Sequence, residues 1–215
     1  MALLNPRCPL CSSSSVSLIH QEGPRSYFAC AQCGLRFLDP ASRLPPEQER
    51  ARYLTHNNDI ADPRYREFVR PLYEKVSEHV RLGATGLDFG SGTGPVLADM
   101  LCRAGYELRL FDPFFRPDTK TLRQTYEFIV ACEVMEHVFD PAGEFRRLRQ
   151  MLCSGGLLGV MTLLLDEEID FATWYYRRDP THVVFYSRAT FLWIERVYGF
   201  SRVSFPSNRI VLLWA

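Results

Sequence analysis

The sequence predicts an α/β protein of the doubly wound type, with a mostly parallel, Rossmann-like sheet and a small cysteine-rich head. Two observations lead to this prediction. Short apolar strands alternate with helical segments from about residue 84 onward, and two Cys-x-x-Cys pairs lie in the first 40 residues. The 215 residues suffice for one α/β core and a short appendage. We therefore expect a zinc ribbon at 1–40, a helical connector or lid at 41–82 and the sheet domain at 83–215.

Charge and composition narrow the class of protein. Lys plus Arg and Asp plus Glu number 25 each, so no global positive field favours nucleic acid or an anionic membrane. The first residues lack the apolar centre of a signal peptide, and no run of about 18 apolar residues occurs. The odd number of cysteines, 7, suits a reducing compartment. We expect a cytoplasmic protein without a membrane span and with nucleic acid not favoured, and the oligomeric state is left open.

The hydrophobic pattern sets the order of the expected elements. Strands are predicted at 87–89, 108–111, 128–131 and 157–161, helices at 95–103, 141–152 and 188–198, and a closing hairpin at 202–205 and 209–214. Ahead of them, apolar residues at three- and four-residue spacing between Tyr65 and Val80 predict a helix. Pro71 interrupts this spacing, so we expect a kink there or two abutting helices.

A glycine-rich turn follows the first strand of the sheet domain. Gly90, Gly92 and Gly94 expose backbone N–H groups that no Cβ shields. Asp112 ends the next strand, where a carboxylate can accept hydrogen bonds from both hydroxyls of a ribose. The pair predicts a nucleoside-bearing cofactor. A dinucleotide fits poorly, because Pro95 takes the place of the third glycine of that fingerprint.

The run LDFGSGTG at 87–94 resembles motif I of class I S-adenosylmethionine-dependent methyltransferases. The stretches YEFIV at 126–130, EVMEHV at 133–138, Asp140-Pro141 and Gly155-Gly156 are similar to later motifs of that superfamily, in particular of methyltransferase types 11 and 23. The resemblance implies an S-adenosylmethionine site formed by Asp88, Gly90, Ser91, Gly92, Gly94, Asp112, Pro113 and Glu133. Only 13 residues separate Asp112 from Tyr126, so the third strand of the family's sheet is expected to be missing.

The segment after the third strand carries candidate catalytic groups. If it is helical, Glu133, Glu136 and His137 share one face and can converge on a point. A similar arrangement with a downstream histidine, here His182, occurs in metal-dependent O-methyltransferases acting on catechol-type quinone precursors and on the terminal ribose of small RNAs. This resemblance implies Mg²⁺ or Mn²⁺ at these four residues. The alternative is a metal-free site in which Glu136, His137 or His182 is a general base or orients the acceptor.

The methyl acceptor is expected to be a small molecule, methylated on oxygen or nitrogen. No N/D-P-P-Y/F motif is present, which argues against methylation of nucleobase amino groups. The candidates for contacts with the acceptor are Tyr53, His56, Tyr175, Tyr176 and Asp179. Two alternatives remain at this point: an RNA methyltransferase that grips its substrate with the ribbon, and a cofactor-binding module without catalysis.

The head carries the spacing C-x2-C-x18-C-x2-C, formed by Cys8, Cys11, Cys30 and Cys33. This spacing is typical of a Cys₄ zinc site, and a closed Cys₄ shell makes the zinc structural. Strands are expected at 16–19 and 27–29 between the two pairs. We expect loss of zinc to loosen the head while the sheet stays folded.

Overall fold

The residues between and after the two cysteine pairs form an antiparallel sheet. The computed structural model describes residues 6–55 and 59–215, so His56, one of the predicted acceptor contacts, lies outside the described residues. The head contains β1 (Val16–Glu22), β2 (Arg25–Cys30) and β3 (Arg36–Leu38), each antiparallel to the next. The first two strands overlap those predicted from the sequence. We use the name ribbon for these three strands and the four cysteines of the head.

The connector forms two helices, α1 (Pro46–Tyr53) and α2 (Pro63–His79). Asp62 caps α2, because its side chain accepts a hydrogen bond from the backbone N–H of Arg64. The helix continues through Pro71, so of the two alternatives predicted there, a kink or two abutting helices, the second does not occur. Among the described residues, no helix combines the length and apolar character needed to cross a bilayer.

The rest of the chain alternates strands and helices as predicted. In chain order the elements are β4 (Thr85–Phe89), α3 (Val96–Arg103), β5 (Glu107–Phe111), β6 (Tyr126–Cys132), α4 (Pro141–Met151), β7 (Leu152–Met161), β8 (Val184–Phe185), α5 (Arg188–Tyr198), β9 (Arg202–Ser204) and β10 (Ile210–Trp214). Asp140 caps α4 as expected, by accepting a hydrogen bond from the backbone N–H of Gly143.

The main sheet has the strand order β5-β4-β6-β7-β10-β9. The first four strands are parallel, and β10 pairs antiparallel with both β7 and β9. Between Asp112 and Thr125, all of which the structure describes, the chain makes an isolated bridge and a 3₁₀ turn but no strand. The prediction of a doubly wound sheet that lacks the third strand is therefore confirmed, and β5 forms the edge of the sheet.

The short strand β8 joins the ribbon instead of the main sheet. It pairs antiparallel with β3, with Phe37 opposite Val184, and gives the ribbon sheet the order β1-β2-β3-β8. One apolar cluster runs through the join and contains Leu10 and Phe37 from the head and Phe145 and Phe191 from α4 and α5. The head and the main sheet therefore share a core, which the sequence did not predict.

Candidate active site

The glycine loop after β4 is fixed by neighbours on both sides. Gly90 has a φ of +80°, and a Cβ there would lie 2.4 Å from Cγ2 of Val134, so only glycine fits. The backbone N–H groups of Gly90 and Ser91 donate to the carbonyl oxygen of Phe111, at 2.8 and 3.0 Å. The loop is thus held between β5 and the turn that follows β6.

Asp112 lies at the end of β5 and organises the same loop. Its Oδ2 accepts a hydrogen bond from the backbone N–H of Gly92 at 2.9 Å, and its Oδ1 accepts from the N–H groups of Phe114 and Phe115 at 2.8 and 2.9 Å. The Arg116 guanidinium donates to the carbonyl oxygen of Gly92. The carboxylate therefore stays at the rim of the loop, where a ribose is expected.

A cavity of about 680 Å³ lies beside the glycine loop. The loop, the turn after β6 and the helices α1 and α2 line it, and so do Asp88, Asp112, His137 and His182. Burial raises the pKa of Asp88 to about 7; the Arg116 guanidinium opposes this rise, and the Asp112 carboxylate adds to it.

Two buried polar groups in this cavity, Ser91 and Asp88, could bind the polar groups of a ligand. Ser91 Oγ lines the cavity, is buried and has no hydrogen-bond partner within the described part of the chain. Asp88 is also buried and can accept hydrogen bonds from an ammonium group. Because a buried polar group without a partner is costly, Ser91 Oγ fits a polar ligand group, and the Asp88 carboxylate can pair with an amino group of the same ligand.

The turn after β6 is not the α-helix considered for this segment. Glu133 has a φ of +52°, and Met135–His137 form a single 3₁₀ turn. As a result Glu133 does not belong to the group of converging ligand atoms that Glu136, His137 and His182 form. Its Oε1 accepts a hydrogen bond from Arg209 Nη1 at 3.0 Å, and its Oε2 accepts one from the Tyr176 hydroxyl at 3.2 Å. Burial and the Glu136 carboxylate raise the pKa of Glu133 to about 8, against the effect of Arg209.

Glu136, His137 and His182 converge beside the cavity. Each offers a ligand atom, and these atoms lie within 4.8 Å of one another. Glu136 is fully buried, and its Oε1 accepts a hydrogen bond from the Tyr176 hydroxyl at 2.5 Å. Its Oε2 has no partner among residues 6–55 and 59–215. Burial raises the pKa of Glu136 to about 7, against the Tyr176 hydrogen bond.

Backbone carbonyls orient both histidines. His137 Nδ1 lies 3.0 Å from the carbonyl oxygen of Thr181, and His182 Nδ1 lies 2.6 Å from that of Tyr176. Since a carbonyl only accepts, each Nδ1 carries a proton, and in a neutral ring the lone pair is then on Nε2. Burial lowers the pKa of His137, which keeps this ring neutral near pH 7. In its neutral form, an imidazole held in this way can act as a base or as a metal ligand.

Comparison with known proteins gives the family. Residues 61–204 match a sequence family described as a methyltransferase domain, and this range includes the glycine loop, Asp112 and the two histidines. The chain belongs to the methyltransferase-domain family. This match confirms the predicted resemblance to the methyltransferase family. None of the curated proteins compared with the chain matches it.

Solved structures share the fold of this methyltransferase. One is a 1,6-didemethyltoxoflavin-N1-methyltransferase of Burkholderia thailandensis, 12% identical, with a TM-score of 0.55 over 92% of this chain and 97% of the other. Another is an O-methyltransferase family protein of the same species, 14% identical, with a TM-score of 0.52 over 77% of this chain and 61% of the other. CalO1, a methyltransferase in calicheamicin biosynthesis, is less similar in structure: it is 16% identical, with a TM-score of 0.48 over 65% of this chain and 54% of its own.

The helix α1 closes the cavity opposite His137. Tyr53 lines the cavity, and its ring lies edge-on to that of His137, with 5.3 Å between centroids. Its hydroxyl donates to Glu49 Oε1 at 2.7 Å. Glu49 is only 7% exposed and also lines the cavity, and burial raises its pKa. Sequence reasoning missed Glu49, because a glutamate in a polar helix is normally exposed.

The other predicted acceptor contacts have different neighbours. Tyr175 is 60% exposed, and Tyr176 is buried against Glu136. Asp179 Oδ2 accepts a hydrogen bond from Arg52 Nη2 at 2.7 Å, and its Oδ1 accepts from the backbone N–H of Thr181. Of the predicted acceptor contacts that the structure describes, Tyr53 is therefore the one that lines the cavity.

The four cysteines of the ribbon have their sulfur atoms within 4.8 Å of one another. The Sγ atoms of Cys8 and Cys33 are 3.5 Å apart, and those of Cys11 and Cys30 are 3.4 Å apart. These distances exceed an S–S bond of about 2.05 Å. They approach the separation of about 3.8 Å that tetrahedral zinc with bonds of about 2.3 Å gives. The donor set therefore fits structural zinc.

Proposed function

We propose that this methyltransferase methylates an oxygen or nitrogen atom of a small molecule bound between α1 and the turn carrying His137. The observation that carries the proposal is that one continuous cavity reaches from Asp88 and Asp112 to His137 and Tyr53. Its volume of about 680 Å³ falls in the range of small-ligand sites. The fold relatives that bear O- and N-methyltransferase names, one with a small heterocycle bound, agree with an acceptor of this size.

The cofactor end of the cavity suits S-adenosylmethionine. Asp88 would accept hydrogen bonds from its amino group and Asp112 from its ribose hydroxyls, while Ser91 and Gly90 to Gly94 surround its amino-acid end. When bound, S-adenosylmethionine supplies a methyl group activated by a positively charged sulfur. The lack of the third strand leaves Phe114 and Phe115, which line the cavity, as the nearest candidates to cover the adenine.

The acceptor end needs a group that removes a proton and groups that hold the acceptor in line. His137 is the candidate base, because its Nδ1 is bound to Thr181 and its Nε2 carries the lone pair. Tyr53 packs against the same ring and limits where an acceptor can lie. Most of the rate enhancement for methyl transfer comes from such alignment. Glu49 is placed to accept a hydrogen bond from the acceptor.

A second candidate is metal-assisted transfer at Glu136, His137 and His182. It is favoured by Glu136 Oε2, a buried carboxylate oxygen without a partner in the described ranges. Two imidazoles and one carboxylate suit Mn²⁺ better than Mg²⁺, which prefers oxygen ligands. A metal ion held there would lower the pKa of an acceptor hydroxyl. Glu133 does not belong to this set, because Arg209 binds its carboxylate. In the ribbon, we propose structural zinc at the four cysteines.

The proposal is tested by transfer of a labelled methyl group from S-adenosylmethionine to a panel of acceptors. The panel contains phenols, catechols, heterocyclic amines and an RNA oligonucleotide, each with EDTA, Mg²⁺ or Mn²⁺. We expect label on a small molecule and a loss of about 100-fold or more in His137→Ala. The matched control is His79→Gln, at the exposed C-terminal end of α2. Label on RNA alone would support the RNA alternative, and unchanged transfer in EDTA would exclude metal assistance.

A further inference from the structure

Val183 is hydrogen-bonded both to the ribbon and to the backbone of the active site. The backbone N–H of Leu38, in β3, donates to the carbonyl oxygen of Val183 at 2.8 Å. The backbone N–H of Val183 donates in turn to the carbonyl oxygen of Glu136 at 2.8 Å. Val183 directly follows His182 in the chain. The edge of the ribbon therefore fixes the main chain at His182 and at Glu136 together.

A second connection runs through Arg177, whose side chain is only 3% exposed. Its Nη1 donates to Glu22 Oε2, in β1, at 2.7 Å, and its guanidinium lies over the Tyr27 ring of β2 at 5.3 Å from the centroid. Its Nε donates to the carbonyl oxygen of Phe171. Because a buried guanidinium needs a partner, the loop that carries Arg177 is bound to the ribbon.

The neighbour of Arg177 binds the active site. The Tyr176 hydroxyl donates to Glu136 Oε1 at 2.5 Å, and the Tyr176 carbonyl oxygen accepts a hydrogen bond from His182 Nδ1 at 2.6 Å. Arg177 therefore binds the ribbon, and the preceding residue, Tyr176, binds Glu136 and His182. An arrangement of this kind transmits the position of the ribbon to both side chains.

The cofactor end of the site is built without the ribbon. The glycine loop is held by Phe111, Asp112 and Val134, and these residues lie in β5 or follow β5 and β6. A change in the ribbon should therefore affect the two ends of the cavity differently.

We propose that the ribbon is a positioning element that holds Glu136 and His182 in place through Val183 and Arg177. The inference rests on the proposed role of Glu136, His137 and His182 at the acceptor end. It assigns to the ribbon a function in the active site beyond its own folding. Arg177 and Glu22 are positioning residues in this account, since they act through Tyr176 and do not line the cavity.

The test uses the whole 215-residue chain, loaded with zinc, and the variant Glu22→Ala, which removes the carboxylate partner of Arg177. Gln21→Ala, an exposed neighbour in β1, is the matched control. The readout is the imidazole Nδ1–H signals of His137 and His182 in proton NMR at 25 °C, which their hydrogen bonds to carbonyl groups protect from exchange. His137→Gln and His182→Gln assign these signals. Zinc content and the Kd for S-adenosylhomocysteine are measured on the same samples.

We expect Glu22→Ala to retain zinc and to bind S-adenosylhomocysteine within about twofold of wild type, while the His182 Nδ1–H exchanges about tenfold faster or more. Gln21→Ala should leave this signal unchanged. Removal of zinc with a chelator should speed exchange of the His182 Nδ1–H as Glu22→Ala does. If the chelator unfolds the chain, the result with Glu22→Ala alone decides. An unchanged His182 signal in Glu22→Ala overturns the proposal. If the wild-type protein does not bind S-adenosylhomocysteine, the proposed function is overturned instead.

Discussion

Asp88 is a carboxylate at the cofactor end of the cavity, and burial raises its pKa to about 7. Only the ionised form can pair with the ammonium group of the cofactor. The affinity for S-adenosylhomocysteine should therefore rise with pH as Asp88 loses its proton, by roughly tenfold between pH 6 and pH 8. Calorimetric titrations across this range test the prediction. In Asp88→Asn the affinity should be weaker and nearly independent of pH, and an equal pH dependence in both proteins would contradict the assignment.

Asp112 binds three backbone N–H groups and so shapes the glycine loop as well as the ribose site. Asp112→Ala should weaken binding of S-adenosylhomocysteine by about tenfold or more, because both sets of hydrogen bonds are lost. Calorimetry gives the Kd. Asp118→Ala, in the loop that follows Asp112, is the control, since the Asp118 side chain is exposed. An unchanged Kd in Asp112→Ala would remove this residue from the site.

The ion pair between Arg52 and Asp179 holds α1 over the active-site loop. Burial alone would raise the pKa of Asp179, but hydrogen bonds from Arg52 and Thr181 bring it well below its usual value. A carboxylate with a lowered pKa stabilises the folded state above its unfolded pKa of about 3.9, and this contribution is lost as the pH falls through the folded value. The stabilisation of α1 by this pair should therefore be fully present at pH 7.

Asp179→Asn should loosen α1 at pH 7. Because Arg52 is partly exposed, the pair contributes about 1 kcal/mol at most, and opening should increase by roughly fivefold. Hydrogen–deuterium exchange of residues 46–55 measures this opening. Glu67→Gln, which breaks the exposed pair with Arg70 on α2, should leave exchange in that segment unchanged. Equal exchange in wild type and Asp179→Asn would show that the pair does not hold the helix.

Elements with a local pattern could be predicted from the sequence. The strands and helices of the main sheet and the Asp140 cap follow from periodicity and capping residues. The missing third strand follows from the short segment after Asp112, compared with the family that the sequence resembles. β8 could not be predicted, because a strand of two residues has no period and exists only through its pairing with β3. The left-handed backbone at Glu133 was also hidden, since it depends on the packing of the turn beside Gly90.

The same limit applies to the site. The residues that line the cofactor end are those of the glycine motif and the following strand, which sequence resemblance can locate. Glu49 is buried because α1, which carries it, packs over a cavity formed by distant residues. Arg177 is buried because the ribbon, which is distant in the chain, packs over it. No neighbouring residue in the sequence reveals such burial.

The shared apolar core makes the ribbon part of one folding unit. Residues from the head and from α4 and α5 belong to a single cluster. Loss of zinc should therefore destabilise the whole chain, not the head alone as the sequence suggested. For Cys30→Ser we expect one cooperative thermal transition, with a Tm lower by roughly 10 °C, if zinc contributes about 4 kcal/mol.

Calorimetry and far-ultraviolet circular dichroism follow this unfolding. Cys153→Ser, which changes an exposed cysteine outside the ribbon, is the matched control and should keep the wild-type Tm. Two separate transitions in Cys30→Ser, with that of the main sheet unchanged, would mean that the two parts fold independently.

The central claim is that the cavity beside Gly90, Asp88 and Asp112 binds S-adenosylmethionine and its demethylated product, S-adenosylhomocysteine. Isothermal titration of the wild-type protein with S-adenosylhomocysteine, and separately with NAD⁺, tests it most directly. The account predicts one site for S-adenosylhomocysteine with a micromolar or lower Kd, and no measurable heat with NAD⁺. Absence of heat with S-adenosylhomocysteine, or tighter binding of the dinucleotide, would contradict it.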